Sequence, residues 1–124
     1  MKKELNSKKA PGAIGPYSQA VICGNLIFVS GQLPINPETG EMPEDIKGQT
    51  ARSIENIKAI LEEAGATLNN VLKTTVYLAD MSLFGEMNEV YANYFKVVYP
   101  ARAAFAVKEL PKKALVEIEV VASL

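Results

Sequence analysis

The chain has 124 residues, 48% of them hydrophobic and 22% charged, which is the size and make-up of one globular domain and excludes a chain disordered as a whole. Its 13 basic and 14 acidic side chains leave a net charge of −1, so no general field draws in nucleic acid. Histidine is absent and cysteine occurs once, at Cys23, which excludes imidazole bases, Ser-His-Asp and Cys-His nucleophiles, imidazole zinc sites, internal disulfides and CxxC motifs.

The start, Met1 to Asn6, leads into no apolar h-region, and no apolar run approaches the roughly 18 residues of a membrane span. With one thiol, the expected setting is a reducing cytoplasm, without membrane attachment. Residues 1–124 read as a single domain whose polar residues 1–9 form a flexible start. Ala10 to Pro16 is a Gly/Pro-punctuated loop. Tyr17 to Cys23 and Leu26 to Ser30 read as strands, with Gly24-Asn25 as a two-residue hairpin turn. Leu33 to Glu41, with two prolines and a Thr-Gly signal, reads as a loop with at most a short edge strand.

Glu44 to Ala64 reads as a helix, with Ile46, Ile54, Ile57, Leu61 and Ala64 on one face and Gly65 at the left-handed cap. Val71 to Ala79 is a strand with Leu72, Thr74, Val76 and Leu78 on one side. Ser82 to Val98 is a second helix, capped by Asp80 or Ser82 and stopped by Pro100; Phe84, Met87, Tyr91, Tyr94 and Val98 form its buried stripe. Ala101 to Val107 and Leu115 to Ser123 close the chain as strands. This order predicts an α+β two-layer sandwich, a mixed sheet of five or six strands with both helices on one face.

Alternation puts Val116, Ile118, Val120 and Ala122 on one side of the last strand and Glu117 and Glu119 on the other. If the last two strands pair as a hairpin, Arg102 and small Ala104 share the non-helix face with Glu117 and Glu119. That half-apolar face implies burial in an oligomer.

Few groups remain for chemistry. Arg102 presents a planar fork suited to a carboxylate; its plainer reading is a cross-strand ion pair with Glu117 or Glu119. Either glutamate could hold a water or shuttle a proton, or simply face solvent. Tyr17 could donate into a pocket or merely pack. Ser30-Gly31 ends a strand where glycine admits a ligand or makes a bulge. Asn88 is a polar position on the second helix. Cys23 reads as a small strand residue. The acidic loop around Asn36 to Glu41 lacks EF-hand spacing, so no metal is expected there. Lys108, Lys112 and Lys113 read as a solvated basic loop.

Taken together, Gly15-Pro16-Tyr17-Ser18-Gln19-Ala20, Ser30-Gly31-Gln32, Asn88-Glu89-Val90-Tyr91, Pro100-Ala101-Arg102-Ala103-Ala104-Phe105 and Val116-Glu117-Ile118-Glu119 stand in order at family-like spacing. From about residue 8 onward the chain resembles the Rid superfamily (YjgF-like), and within it the RidA-type reactive imine/enamine deaminases. The resemblance implies a chorismate-mutase-like fold, a homotrimer around a central β-barrel, and ligand clefts between subunits. It implies cofactor-free hydrolysis of 2-iminobutanoate or 2-iminopropanoate to 2-oxo acids and ammonia, which spares pyridoxal-phosphate enzymes from a reactive species. It also assigns Arg102 to the substrate carboxylate, Glu117 to the hydrolytic water, and Tyr17, Ser30, Gly31 and Asn88 to the pocket. Ala104, counted with them as a substrate-binding position, stands where many relatives carry cysteine, so no thiol acts there. The alternatives are a non-catalytic 2-oxo-acid-binding regulatory trimer, a ribonuclease or translation inhibitor, and a chaperone-like holdase.

Overall fold

The computed structural model describes residues 1–124 and departs from expectation at once, because part of the polar start is ordered. Lys2–Leu5 forms a strand, β1, antiparallel to β2 (Ala20–Cys23). Three of its four residues are charged, as befits an exposed edge strand, and that charge hides it from an apolar-pattern reading. Residues 17–19, expected to open the strand that runs to Cys23, remain outside β2. Gly24-Asn25 turns β2 into β3 (Leu26–Gln32) with Cys23 opposite Leu26, as the two-residue spacing predicts.

Helix α1 (Ile46–Glu63) begins at Asp45, whose carboxylate caps Gly48 N at 3.2 Å. Gly65 follows with φ +74°, and Ala66 N donates to Leu61 O at 3.0 Å, the left-handed stop expected from the sequence. Strand β4 (Val71–Leu78) buries Thr74, Val76 and Leu78, but Leu72 is half exposed. A register shift between Val71 and Lys73 breaks the alternation there and puts Val71 inside instead.

The second helix, α2 (Phe84–Tyr94), is shorter than expected. A 3₁₀ turn over Met81–Leu83, capped by Asp80, precedes it. Phe95 has already left helical geometry, so Phe95 fills the core while Val98, expected in the buried stripe, is 92% exposed. Strand β5 (Ala101–Ala106) and strand β6 (Val116–Ser123) complete the chain.

The six strands run in the order β1-β2-β3-β6-β4-β5. All pairs are antiparallel except β4 and β5. The expected β5–β6 hairpin is therefore wrong: β4 lies between them. The unit β4–α2–β5 is a strand–helix–strand crossover, and such a connection joins parallel neighbours.

Register then corrects the expected faces. Thr74 opposes Arg102 and Val76 opposes Ala104, so Arg102 and Ala104 lie on the helix face. Tyr77 opposes both Glu117 and Phe105, so these residues lie on the other face. Both helices cover one side of the sheet, as predicted, and Ile27, Ile54, Ile57, Val76, Met87 and Ile118 lie at the centre of one core. Thr74 Oγ1 and Tyr91 Oη share a buried hydrogen bond of 2.8 Å within it. On the opposite face Phe28, Leu72 and Phe105 remain roughly half exposed, beside Tyr77, Glu117 and Glu119.

Candidate functional site

Buried amides position the loops before any functional group enters. Gln19, 3% exposed, accepts from Ser7 N at 2.7 Å and donates to Ser7 O at 3.1 Å and Pro11 O at 2.7 Å. This pins the loop before Tyr17 to the start of β2. Asn56, fully buried in α1, donates to Leu33 O at 3.1 Å and Ile35 O at 3.0 Å. Arg52 in turn donates to Asn56 Oδ1 at 3.1 and 2.9 Å. Gln49 donates to Pro43 O and accepts from Leu115 N, both at 2.8 Å. These side chains satisfy loop backbone groups that would otherwise be buried unpaired.

The pinned loops enclose a cleft of about 890 Å³. Tyr17, Ser30, Gly31 and Glu117 all line it, so four of the residues singled out in the sequence meet here. Ser30 Oγ donates to Ser18 O at 2.6 Å, which holds the end of β3 to the Tyr17 segment. Gly31 leaves room for the Glu117 carboxylate: a Cβ there would lie 2.9 Å from Glu117 Oε2 and 3.0 Å from its Cδ. The Glu117 carboxyl is half buried, and burial, with the nearby charge of Glu119, pushes its pKa up.

Glu119 has a different occupation. It accepts a hydrogen bond from Tyr77 Oη and does not line the cleft. That bond, burial and the two neighbouring carboxylates push the Tyr77 phenol up to about 12. Sequence alternation left Glu117 and Glu119 equivalent; the cleft separates them. Both sit on an interior strand, not on an edge.

Arg102 lies elsewhere. With Asn88, Tyr91, Ala92, Tyr99 and Pro100 it lines a second cleft of about 420 Å³, which shares no residue with the first. Arg102 Nη1 donates to Asn88 Oδ1 at 2.7 Å. Its Cζ lies 4.7 Å from the Tyr91 ring centre and 5.4 Å from that of Phe84, within cation–π range. The expected ion pair with Glu117 or Glu119 does not form, because the sheet separates them; the fold's one ion pair is Lys47–Glu89. The guanidinium thus keeps donors free for an anion while two aromatic rings and an amide fix its plane. Ala104 is partly buried against the core and lines neither cleft.

The sequence reading missed Gln19 and Asn56 as loop anchors and Lys112 as a cleft residue. Asn56 lies on α1, where the apolar spacing carries the only pattern and a buried amide leaves none. No three His, Cys, Asp or Glu side chains converge in a way that could hold a metal. No helix is long and apolar enough to cross a membrane.

Comparison with known proteins places these clefts in context. The family model described as endoribonuclease L-PSP matches residues 7–124. A protein of Pyrococcus abyssi described as a RutC family protein is 60% identical over 98% of this chain and 96% of its own length. An Escherichia coli protein carrying the provisional name reactive intermediate deaminase TdcF is 44% identical over 98% of this chain and 97% of its own. The crystal structure of that TdcF, solved with bound serine, superposes with a TM-score of 0.95, covering 98% of both chains at 42% identity. The crystal structure of RidA from an Antarctic Psychrobacter matches with a TM-score of 0.95 at 48% identity, covering 98% of this chain and 99% of that one.

Proposed function

The chain belongs to the Rid (YjgF) superfamily, and from that premise we propose that it is a hydrolytic deaminase of reactive 2-imino and enamino acids. Its substrates are 2-iminobutanoate and 2-iminopropanoate, its products the 2-oxo acids and ammonia, and its use the removal of species that damage pyridoxal-phosphate enzymes. The observation that carries the reading is Arg102: a guanidinium fixed by Asn88 and two rings, with no carboxylate partner.

The two clefts of one chain are complementary halves. One offers an anion clamp, the other a carboxylate of raised pKa beside a phenol. In a homotrimer the Arg102 cleft of one copy closes against the Glu117 cleft of the next, and the half-apolar sheet faces bury one another. Arg102 takes the substrate carboxylate, which sets the C=N carbon beside a water held by Glu117. Glu117 removes a proton as the water oxygen bonds to the carbon of the protonated imine, giving a neutral carbinolamine. It passes that proton to nitrogen, the C–N bond breaks, and ammonia leaves as the hydroxyl gives its own proton to Glu117 and becomes the 2-oxo group. Burial makes Glu117 a stronger base than an exposed glutamate. Tyr17 Oη donates to the developing charge. No step calls for a cofactor.

The family description names an endoribonuclease, but the two clefts carry one lysine and one arginine between them. That is a thin footprint for a phosphate backbone. The deciding experiment generates 2-iminobutanoate with a threonine dehydratase while semicarbazide competes for it. Wild type should speed 2-oxobutanoate formation and Arg102→Ala should not. If wild type leaves the trapping rate unchanged across several imino acids, the catalytic reading falls and a 2-oxo-acid-binding role takes its place.

A further inference from the structure

The deaminase reading leaves one charge of the larger cleft unused. Glu117 and Lys112 are the only formally charged side chains that line it. Lys112 makes no ion pair, the single one of the fold being Lys47–Glu89. It sits in a short turn, Pro111–Lys113, in which Lys112 has φ 57° and Lys113 φ 58°. L-residues seldom hold such values, whereas glycine holds them freely. Both lysines hold this conformation, and of the two only Lys112 lines the cleft.

Size argues the same way. A cleft of about 890 Å³ is of the class that holds drug-sized ligands. A four-carbon imino acid occupies a small part of this space as one copy presents it, and the adjoining copy that brings Arg102 covers part of the remainder. Asn36 also lines this cleft; its Oδ1 accepts from Glu38 N, and its side-chain NH₂ donates no hydrogen bond within the fold. Beyond the groups used in the hydrolytic steps, the cleft therefore offers one ammonium and one neutral donor, a set that suits a second carboxylate.

We propose that Lys112 is a specificity-determining residue that receives a distal carboxylate, so that the chain's substrates extend to 2-imino dicarboxylic acids. This rests on the reading above, in which Arg102 holds the carboxylate next to the imine. Lys112 acts at the far end and takes no part in the bond-making steps.

The test measures binding, so it does not depend on turnover. Calorimetry compares 2-oxoglutarate with 2-oxobutanoate on the full-length wild type, Lys112→Met and Lys113→Met. Lys113 has the same charge and the same backbone conformation but does not line the cleft, so its variant controls for both. Wild type should bind 2-oxoglutarate more tightly than 2-oxobutanoate. Lys112→Met should weaken 2-oxoglutarate about tenfold, the low end for a charge-assisted contact, and leave 2-oxobutanoate within about twofold. Lys113→Met should change neither. The preference should shrink at about 0.5 M salt, as expected for an exposed ammonium. Absence of a wild-type preference, equal losses for both acids, or equal effects of the two lysine variants each overturn the proposal. An inactive wild type that still shows the Lys112-dependent preference would sink the deaminase reading and leave this subsite standing.

Discussion

Replacing Gly31 by alanine isolates the placement of Glu117. The new methyl would meet Glu117 Oε2 at 2.9 Å, where an ordinary contact starts at 3.4 Å. The carboxylate must therefore retreat by about 0.5 Å or swing to another rotamer. Gly31 does not have a positive φ, so alanine strains no backbone, and the obstructing atoms are the end of a movable side chain. Stability should change by less than ~1 kcal/mol, with the lower chain entropy of alanine offsetting part of the contact. A water held about 1 Å out of line can lower a rate by about 10²-fold. The expected outcome is a fall of 10- to 100-fold, as an order of magnitude, in kcat/KM for 2-iminobutanoate, at a melting temperature within a few degrees of wild type. Activity within twofold of wild type would refute the reasoning, because Glu117 would then tolerate displacement. A large fall in melting temperature that accounts for the lost activity would refute it equally.

Arg102→Lys keeps the charge but loses the planar fork, the Asn88 geometry and the ring stacking; we expect imine hydrolysis to drop by about two orders of magnitude, with a raised KM in initial-rate measurements. Glu117 must be ionised to accept a proton, and its pKa is raised by burial first and by Glu119 second. The rate should therefore fall, as pH is lowered, at a pH above that of an ordinary glutamate, and Glu119→Gln should move this limb toward acid without abolishing it; an unmoved limb in the pH–rate profile would remove Glu119 from the account. Asn56→Ala leaves Leu33 O and Ile35 O without their donor and Arg52 without its acceptor, and should lower stability by about 2–4 kcal/mol in chemical denaturation at constant protein concentration.

Legibility in the sequence followed the strength of local signals. The Gly24-Asn25 turn, the α1 stripe with its Gly65 stop, and the strict alternation of Val116 to Ala122 each had one dominant cause, and each formed as read. The β5 segment had none. Ala101, Ala103, Ala104 and Ala106 distinguish the two faces poorly, so an assumed hairpin decided where Arg102 pointed, and decided wrongly. The correct signal lay at longer range: a strand, a helix and a strand within residues 71–106 specify a parallel crossover. Of the site, the residue types were legible and their division between two clefts was not. That division depends on which side of the sheet each strand end reaches, and a one-strand error in neighbour order changes it. Lys112 escaped because its turn obeys no pattern of apolar spacing.

The two clefts are also assembled from very different lengths of chain. The Arg102 cleft draws only on residues 88 to 102, a helix and the loop and strand end that follow it. The Glu117 cleft gathers residues from Pro11 to Glu117, nearly the whole molecule. Closing the first requires a short loop; closing the second requires the ends of the chain to have met. A chain still being synthesised thus already contains every residue of the Arg102 cleft before Glu117 has been added, and only the finished chain holds both clefts.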